Sequence, residues 1–375
     1  MTTKALVNLG LVLIFLFVLI APLVFRKIEE NLEIFLFLNG ILALTLAGFT
    51  QIPGVVTGWN WDIVHEALIT PIRITEVFGI PIGIVQIVLF AGLVIYFGSA
   101  AIERAVSRLA QKVSRPVLVF SLVVLFGLAS SIISAIVATI LLIELVCFLP
   151  FRREERVKVT VIACLSIGLG AALTPLGEPL STITVEKLAG PPYYAGFDYL
   201  LSTLGYLVLP GIIVLGIIGM MEMMKPGIPE SQAACMESRE TLRNVVIRAA
   251  KIYLFIMALV FLGEGFTPLI LTYIPHTPAE ILYWFNIVSA ILDNATLASA
   301  EISPALNPLQ IKGALMALLA AGVILIPGNI PNIIAAGKLK ISSKEWAKIG
   351  IPIGLTAMGI YFLIIFVPVY LGGLR

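Results

Sequence analysis

The stretch SAILDNATLASAE, residues 289 to 301, sets an aspartate and an asparagine, Asp293 and Asn294, in a chain that is otherwise oily. A carboxylate at bilayer depth costs several kcal/mol unless it meets water, a cation or a proton, so Asp293 points to ion or proton binding. The competing role is structural, a hairpin-tip aspartate capping a half-helix. Two further words, TPLGEP (174 to 179) and IPGNIP (326 to 331), combine proline and glycine with Glu178 and Asn329. Proline lacks a backbone donor and both residue types disfavour helix interiors, so each word interrupts a helix. Unwound backbone inside a membrane frees carbonyls and half-helix ends, the parts of an ion site. One such break reads as an ordinary kink; two at matching places, each with Glu or Asn, favour binding.

Composition says what must position these residues. The chain has 375 residues, 59% of them hydrophobic and 12% charged, with a mean hydropathy of +1.07. Its surface cannot be mostly wetted, and an integral membrane protein is expected, multi-pass and in the cell membrane. Apolar runs at 5–25, 34–50, 79–98, 197–221, 252–271 and 349–371 are near the roughly 20 residues of a spanning helix. The first lacks a basic leader beyond Lys4 and reads as an uncleaved span. A net charge of +2 with scattered basic residues gives no nucleic-acid surface. Cys147, Cys164 and Cys235 have neither metal nor disulfide spacing and read as packing residues.

Basic residues set the orientation, because short loops rich in Lys and Arg stay cytoplasmic. Arg26 and Lys27 with the stretches 99–115, 151–158, 222–251 and 338–348 hold 19 of the 24. Residues 116–149 are then flanked by basic sequence on both sides but are too short for two crossings. A re-entrant hairpin from the cytoplasm is expected, with its tip near Ser130, Ser131 and Ser134. Residues 275–305 have flanks almost free of Lys and Arg and read as a hairpin entering from outside.

The two hairpins match: SAIVATILL from Ser134 aligns with SAILDNATL from Ser289 without a gap. TPLGEPLSTITVEKL (174–188) aligns with LIPGNIPNIIAAGKL (325–339), pairing Gly177 with Gly328 and Glu178 with Asn329. An inverted repeat follows, 79–221 against 252–375, joined by a cytoplasmic linker 222–251 and preceded by leading helices and an interfacial segment in 1–78. The expected fold is an all-α polytopic membrane protein with two re-entrant hairpins, two interrupted helices and about eight full spans.

The candidate ion ligands are oxygen donors at the tips and breaks: Asp293, Asn294, Thr296 and Ser289 with Gly328, Asn329 and Asn332 in one half, and Ser134, Thr139, Thr174, Gly177, Glu178 and Ser181 in the other. Glu264 and Glu144 are candidate proton relays, although Glu144 could equally pair with Arg152. Glu186 and Glu301 lie near expected membrane boundaries and read as solvated, as does His65. With carboxylates in the expected core and no deep Lys or Arg, a cation fits better than an anion; sodium, a hard cation, suits oxygen ligands, held at Asp293, Asn294 and Glu178.

The words SAILDN, TPLGEP and IPGNIPN resemble the ion transporter superfamily, especially its NhaD-type sodium/proton antiporters and a cation-transporter-like branch, over roughly residues 79–371. The resemblance implies a homodimer whose leading helices form a scaffold and whose hairpins and interrupted helices form a mobile transport domain. One departure stands out: Ala138 and Thr139 occupy the places of Asp293 and Asn294 in the first hairpin, so the polar chemistry is asymmetric. The expectation is exchange of a monovalent cation for a proton, with no cofactor. The alternative is sodium-coupled transport of a small anion such as a carboxylate, held at half-helix N-termini. Hydrolase, P-loop and zinc-site words are missing from the sequence, which argues against an enzyme.

Overall fold

The computed structural model describes residues 3–25, 27–28, 31–50, 52, 56–73, 75–77, 80–82, 85–86, 89, 113–149, 151–224, 242–273, 277–292 and 294–372. The expected span 79–98 lies largely outside them, as do Asp293 and Cys235. Two helices lead, α1 (Thr3–Val24) and α2 (Leu32–Ala47). The polar segment after them holds the nine-residue α3 (Trp61–Ile69), whose N-cap Asn60 accepts a hydrogen bond from the Ile63 amide. A short antiparallel pair, β1 (Thr75–Val77) with β2 (Ile80–Ile82), is the one departure from helix among the described residues that the composition did not suggest.

Two consecutive blocks follow. The first is α4 (Arg115–Ile133), α5 (Ala135–Phe148), α6 (Arg153–Ala171), α7 (Pro179–Lys187) and α8 (Tyr199–Met223). The long α9 (Leu242–Tyr273) packs on α2 and α3. Its first turns take up residues 242–251, which the sequence reading gave to a linker. The second block is α10 (Ala279–Phe285), extended by a 3-10 turn over Asn286–Ala290, then α11 (Asn294–Glu301), α12 (Pro308–Ala321), α13 (Ile330–Leu339) and α14 (Ser343–Gly372).

Among the described residues, five helices carry stretches long and apolar enough to cross a membrane: Ala5–Pro22, Arg115–Ile133, Tyr199–Met223, Ala249–Leu269 and Ser343–Leu371. The outer surface is apolar too, with Leu13 58%, Leu125 63% and Leu363 58% exposed. Such a surface is stable against lipid and not against water. The chain is an all-α membrane protein.

The core lies around α6 and α12, which are buried on nearly every face. Small residues let α4 cross α6 closely: a Cβ on Gly170 would collide with the Gly127 carbonyl. Flanking hydroxyls bridge the two helices, Ser166 donating to the Val123 carbonyl (2.8 Å) and Ser130 to that of Ile167 (2.9 Å). This is the close packing that membrane helices use in place of a hydrophobic driving force. Cys164 is buried on α6 and Cys147 is partly buried on α5; both are free thiols.

Ion pairs show how the helix ends group. Arg115 at the start of α4 meets Glu155 (2.7 Å) and sits over the ring of Phe151, just past the end of α5. The two ends of the α4–α5 pair therefore adjoin. On the same face Lys158 pairs with Glu222 (2.8 Å), and Arg153 reaches both Glu345 and the Lys340 carbonyl. At the other ends of these helices the Tyr193 hydroxyl donates to the Leu306 carbonyl. So α6 begins where α13 ends, and the loop after α7 meets the loop before α12: the two interrupted helices run in opposite directions.

Candidate functional site

Each interrupted helix stops at a glycine-containing turn and resumes one residue later. After α6 the chain turns through residues 172–177, Glu178 is extended (φ −155°, ψ 161°) and Pro179 opens α7. After α12 it passes through a 3-10 turn at Ile326–Gly328, Asn329 is extended (φ −155°, ψ 148°) and Ile330 opens α13. Glu178 and Asn329 are 6% and 5% exposed, and neither side chain caps its own helix.

The same hydrogen bonds close both turns at positions 151 residues apart. Ser181 donates to the Ala171 carbonyl (3.3 Å), and its counterpart Asn332 donates to Gly322 (2.7 Å) and to Leu325 (3.0 Å). A Cβ on Gly177 would collide with the Ala171 carbonyl; one on Gly328 would meet the carbonyls of Gly322 and, at 2.6 Å, Ser289. Glycine is required at both by close backbone approach.

A hairpin tip rests on each turn. The Ala135 amide donates to the Gly177 carbonyl (2.8 Å), and Thr174 donates to that of Ser131. The tip itself is sharper than the serine cluster implied, a single residue, Ser134, at φ 72° between α4 and α5. Its hydroxyl accepts from the Val137 amide (3.4 Å). In the second block Ser289 donates to Leu318 (3.3 Å), as Ser130 does to the equivalent Ile167. The second arms cross over: α5 packs on α13, and α11 packs on α7. The halves touch directly where Cys164 of α6 approaches the Pro331 carbonyl (3.9 Å) and a Cβ on Gly168 would meet the Asn329 amide (3.1 Å).

Most of the expected ligands are thus brought together, but several spend their donors on the scaffold. Thr139 donates to the Ala135 carbonyl within its own helix (2.7 Å), and Ser181, Thr174, Ser289 and Asn332 each donate to turn or helix carbonyls. Their remaining lone pairs, not their protons, are what a cation could use. Asn294 is 2% exposed and its Nδ2 has no partner among the described residues. Asp293 lies outside the described residues, and the Thr296 side chain is likewise not described.

Three acids depart from expectation. Glu144 pairs with Lys338 of α13 (3.0 Å) and not with Arg152, which binds Glu155. Lys338, with a side chain 15% exposed, and Arg156, 6% exposed, are the deep basic residues that the sequence reading did not foresee. Glu264 sits on α9 with Glu66 of α3 as its acidic neighbour, and no hydrogen bond among the described residues joins it to either break. Glu301, expected at a solvated boundary, is 3% exposed and accepts from Asn286 Nδ2 (2.9 Å). Its signal was present in the spacing, eight residues after Asp293 on the same short arm.

Fold and site together define a polytopic all-α membrane protein built around two interrupted helices. A family model described as a protein of unknown function, DUF1646, matches residues 8–368, and the chain belongs to that family. No curated protein matches the sequence.

Proposed function

We propose that this protein is a secondary transporter of the cell membrane that exchanges a monovalent cation, sodium first among them, for a proton. The observation that carries the reading is the paired break: Glu178 and Asn329 open oppositely running half-helices in one conformation, both buried, with each half-helix packed on the other block's hairpin. Such an arrangement supports an inverted repeat with two re-entrant hairpins, and inverted-repeat transporters bind substrate where the repeats meet. The oxygen donors there, carboxylate, amides, hydroxyls and turn carbonyls, suit a hard cation. Asp293 supplies the charge that differs between the hairpins, since Ala138 stands in its place in the first. A desolvated carboxylate holds a cation or a proton but seldom both, and exchange follows from that competition.

The test is ion flux in proteoliposomes. An inward Na⁺, Li⁺ or K⁺ gradient without organic substrate should drive proton efflux, and Asp293→Asn, which keeps size but cannot titrate, should abolish it in folded protein. Wild-type exchange by that variant would pass the role to Glu178. Proton movement only on adding a carboxylate would favour sodium-coupled anion transport. A homodimer, with α1, α2 and α9 in a scaffold, belongs to the same reading.

A further inference from the structure

Glu301 closes α11 inside the protein, and its surroundings do not suit a charge. Asn286 Nδ2 donates to Oε1 (2.9 Å) and also reaches the Ala314 carbonyl (3.4 Å). Because that carbonyl only accepts, it fixes which way the Asn286 amide points. Two buried oxygens are then left over, Glu301 Oε2 and Asn286 Oδ1, both shielded from solvent and without a hydrogen-bond partner. With an ionised Glu301 both are acceptors, and neither can satisfy the other. A single proton on Oε2 changes this: it turns one orphaned acceptor into a donor, and Asn286 Oδ1, on the side chain whose Nδ2–H already serves Oε1, is the acceptor left to take it. Position argues the same way, since Glu301 is the last residue of its helix, where the macrodipole disfavours negative charge.

Among the described residues no ion pair compensates for charge on Glu301. On the elements packed against α11, Lys312 of α12 lies over the Tyr206 ring at 5.2 Å, Glu264 of α9 neighbours Glu66, and Glu186 and Lys187 stand at the exposed end of α7. On its own hairpin Glu280 accepts from the Tyr370 hydroxyl, and Asp293 lies outside the described residues.

We propose that Glu301 is a proton-binding site distinct from the cation site: protonated in this conformation through its pair with Asn286, it releases the proton to water when a cation occupies the tip of the second hairpin. The release is electrostatic. The eight residues of α11 separate tip from acid by about 12 Å; a cation that joins Asp293 when its carboxylate is already ionised adds a unit charge at that distance, which shifts a proton equilibrium by about tenfold. The loop that follows Glu301 carries the exposed Pro304 and Ala305 beside the Tyr193–Leu306 contact, and that is the surface nearest in sequence for the proton to leave by. The protonation stands on geometry alone; the coupling rests on the exchange reading above.

Infrared difference spectroscopy on full-length protein in lipid separates the two. At neutral pH without Na⁺ the wild type should show a carboxylic-acid C=O band that Glu301→Gln removes, that Asn286→Ala shifts in frequency and that Na⁺ diminishes. Glu301→Gln keeps both hydrogen bonds of the pair and should fold, bind Na⁺ and lose at least tenfold in Na⁺-driven proton flux. The band with no flux from wild-type protein would sink the exchange reading and leave the protonated Glu301 standing. A spectrum without the band, or one unchanged by both substitutions, would overturn the site, and undiminished flux in Glu301→Gln would overturn its coupling role.

Discussion

Lys338 on α13 and Glu144 on α5 approach to 3.0 Å with side chains only 15% and 11% exposed. The half-helix after the second break is thereby tied by charge to the first hairpin. Removing one partner of a buried pair leaves the other charge desolvated, so Glu144→Ala and Lys338→Ala should each cost about 3–5 kcal/mol. The double variant should lose less than the sum. Denaturation in detergent measures all three, and strictly additive losses would show that the pair contributes no coupling.

The two turn glycines should be intolerant where an exposed one is not. Gly177→Ala and Gly328→Ala force a methyl into backbone carbonyls, and overpacking of this kind costs about 1–3 kcal/mol. Gly337 lies within α13 with nothing near its missing Cβ, so Gly337→Ala should stabilise by roughly 0.5–1 kcal/mol through helix propensity. Melting of the three variants in one detergent compares them, and equal behaviour would refute the close approach at the turns.

Asn332 holds two carbonyls of the second turn where Ser181 holds one in the first. Asn332→Ala leaves both carbonyls without that donor in a buried site, at about 1–3 kcal/mol each. Asn332→Ser should recover part of the loss by imitating the first half. If alanine and serine variants melted together, the closure would not depend on the donor.

The breaks were legible in the sequence because their cause is local. Proline and glycine stop a helix wherever they stand, and the constant offset of 151 residues that aligned Gly177 with Gly328 also aligns Ser181 with Asn332 and Ile167 with Leu318 in the hydrogen bonding. The first hairpin was legible through its basic flanks, although serine content alone could not single out Ser134, whose positive φ is set by the fold of the tip onto Gly177. Long-range partners were not legible. Glu144 lies eight residues from Arg152 in sequence, yet its charge partner comes from the other half of the molecule. Glu301 read as a boundary acid because its spacing after Asp293 marks the end of a short arm without showing that Asn286 is its partner there.

The last prediction concerns sidedness, on which the hairpin reading depends. The ends of α4 and α5 adjoin through Arg115 and Phe151, and the exposed residues Ser114 and Glu154 flank that junction. Asp198, exposed in the loop before α8, belongs to the end where Tyr193 meets Leu306. In membrane vesicles of known orientation, Ser114→Cys and Glu154→Cys should react with an impermeant thiol reagent from the same side, and Asp198→Cys from the opposite one. The basic stretches assign the first side to the cytoplasm, because Arg152, Arg153, Arg156 and Lys158 cluster there with Lys340 and Lys344. Native Cys147 and Cys164 are partly or fully buried, and replacing Cys235 by serine removes the remaining thiol, so the background is controlled. Labelling of Ser114→Cys and Glu154→Cys from opposite faces would mean that α4 and α5 together cross the membrane. The two arms would then make one crossing between them and not a hairpin, the opposed directions of α6 and α13 would lose their relation to the bilayer, and the exchange mechanism built on them would fall.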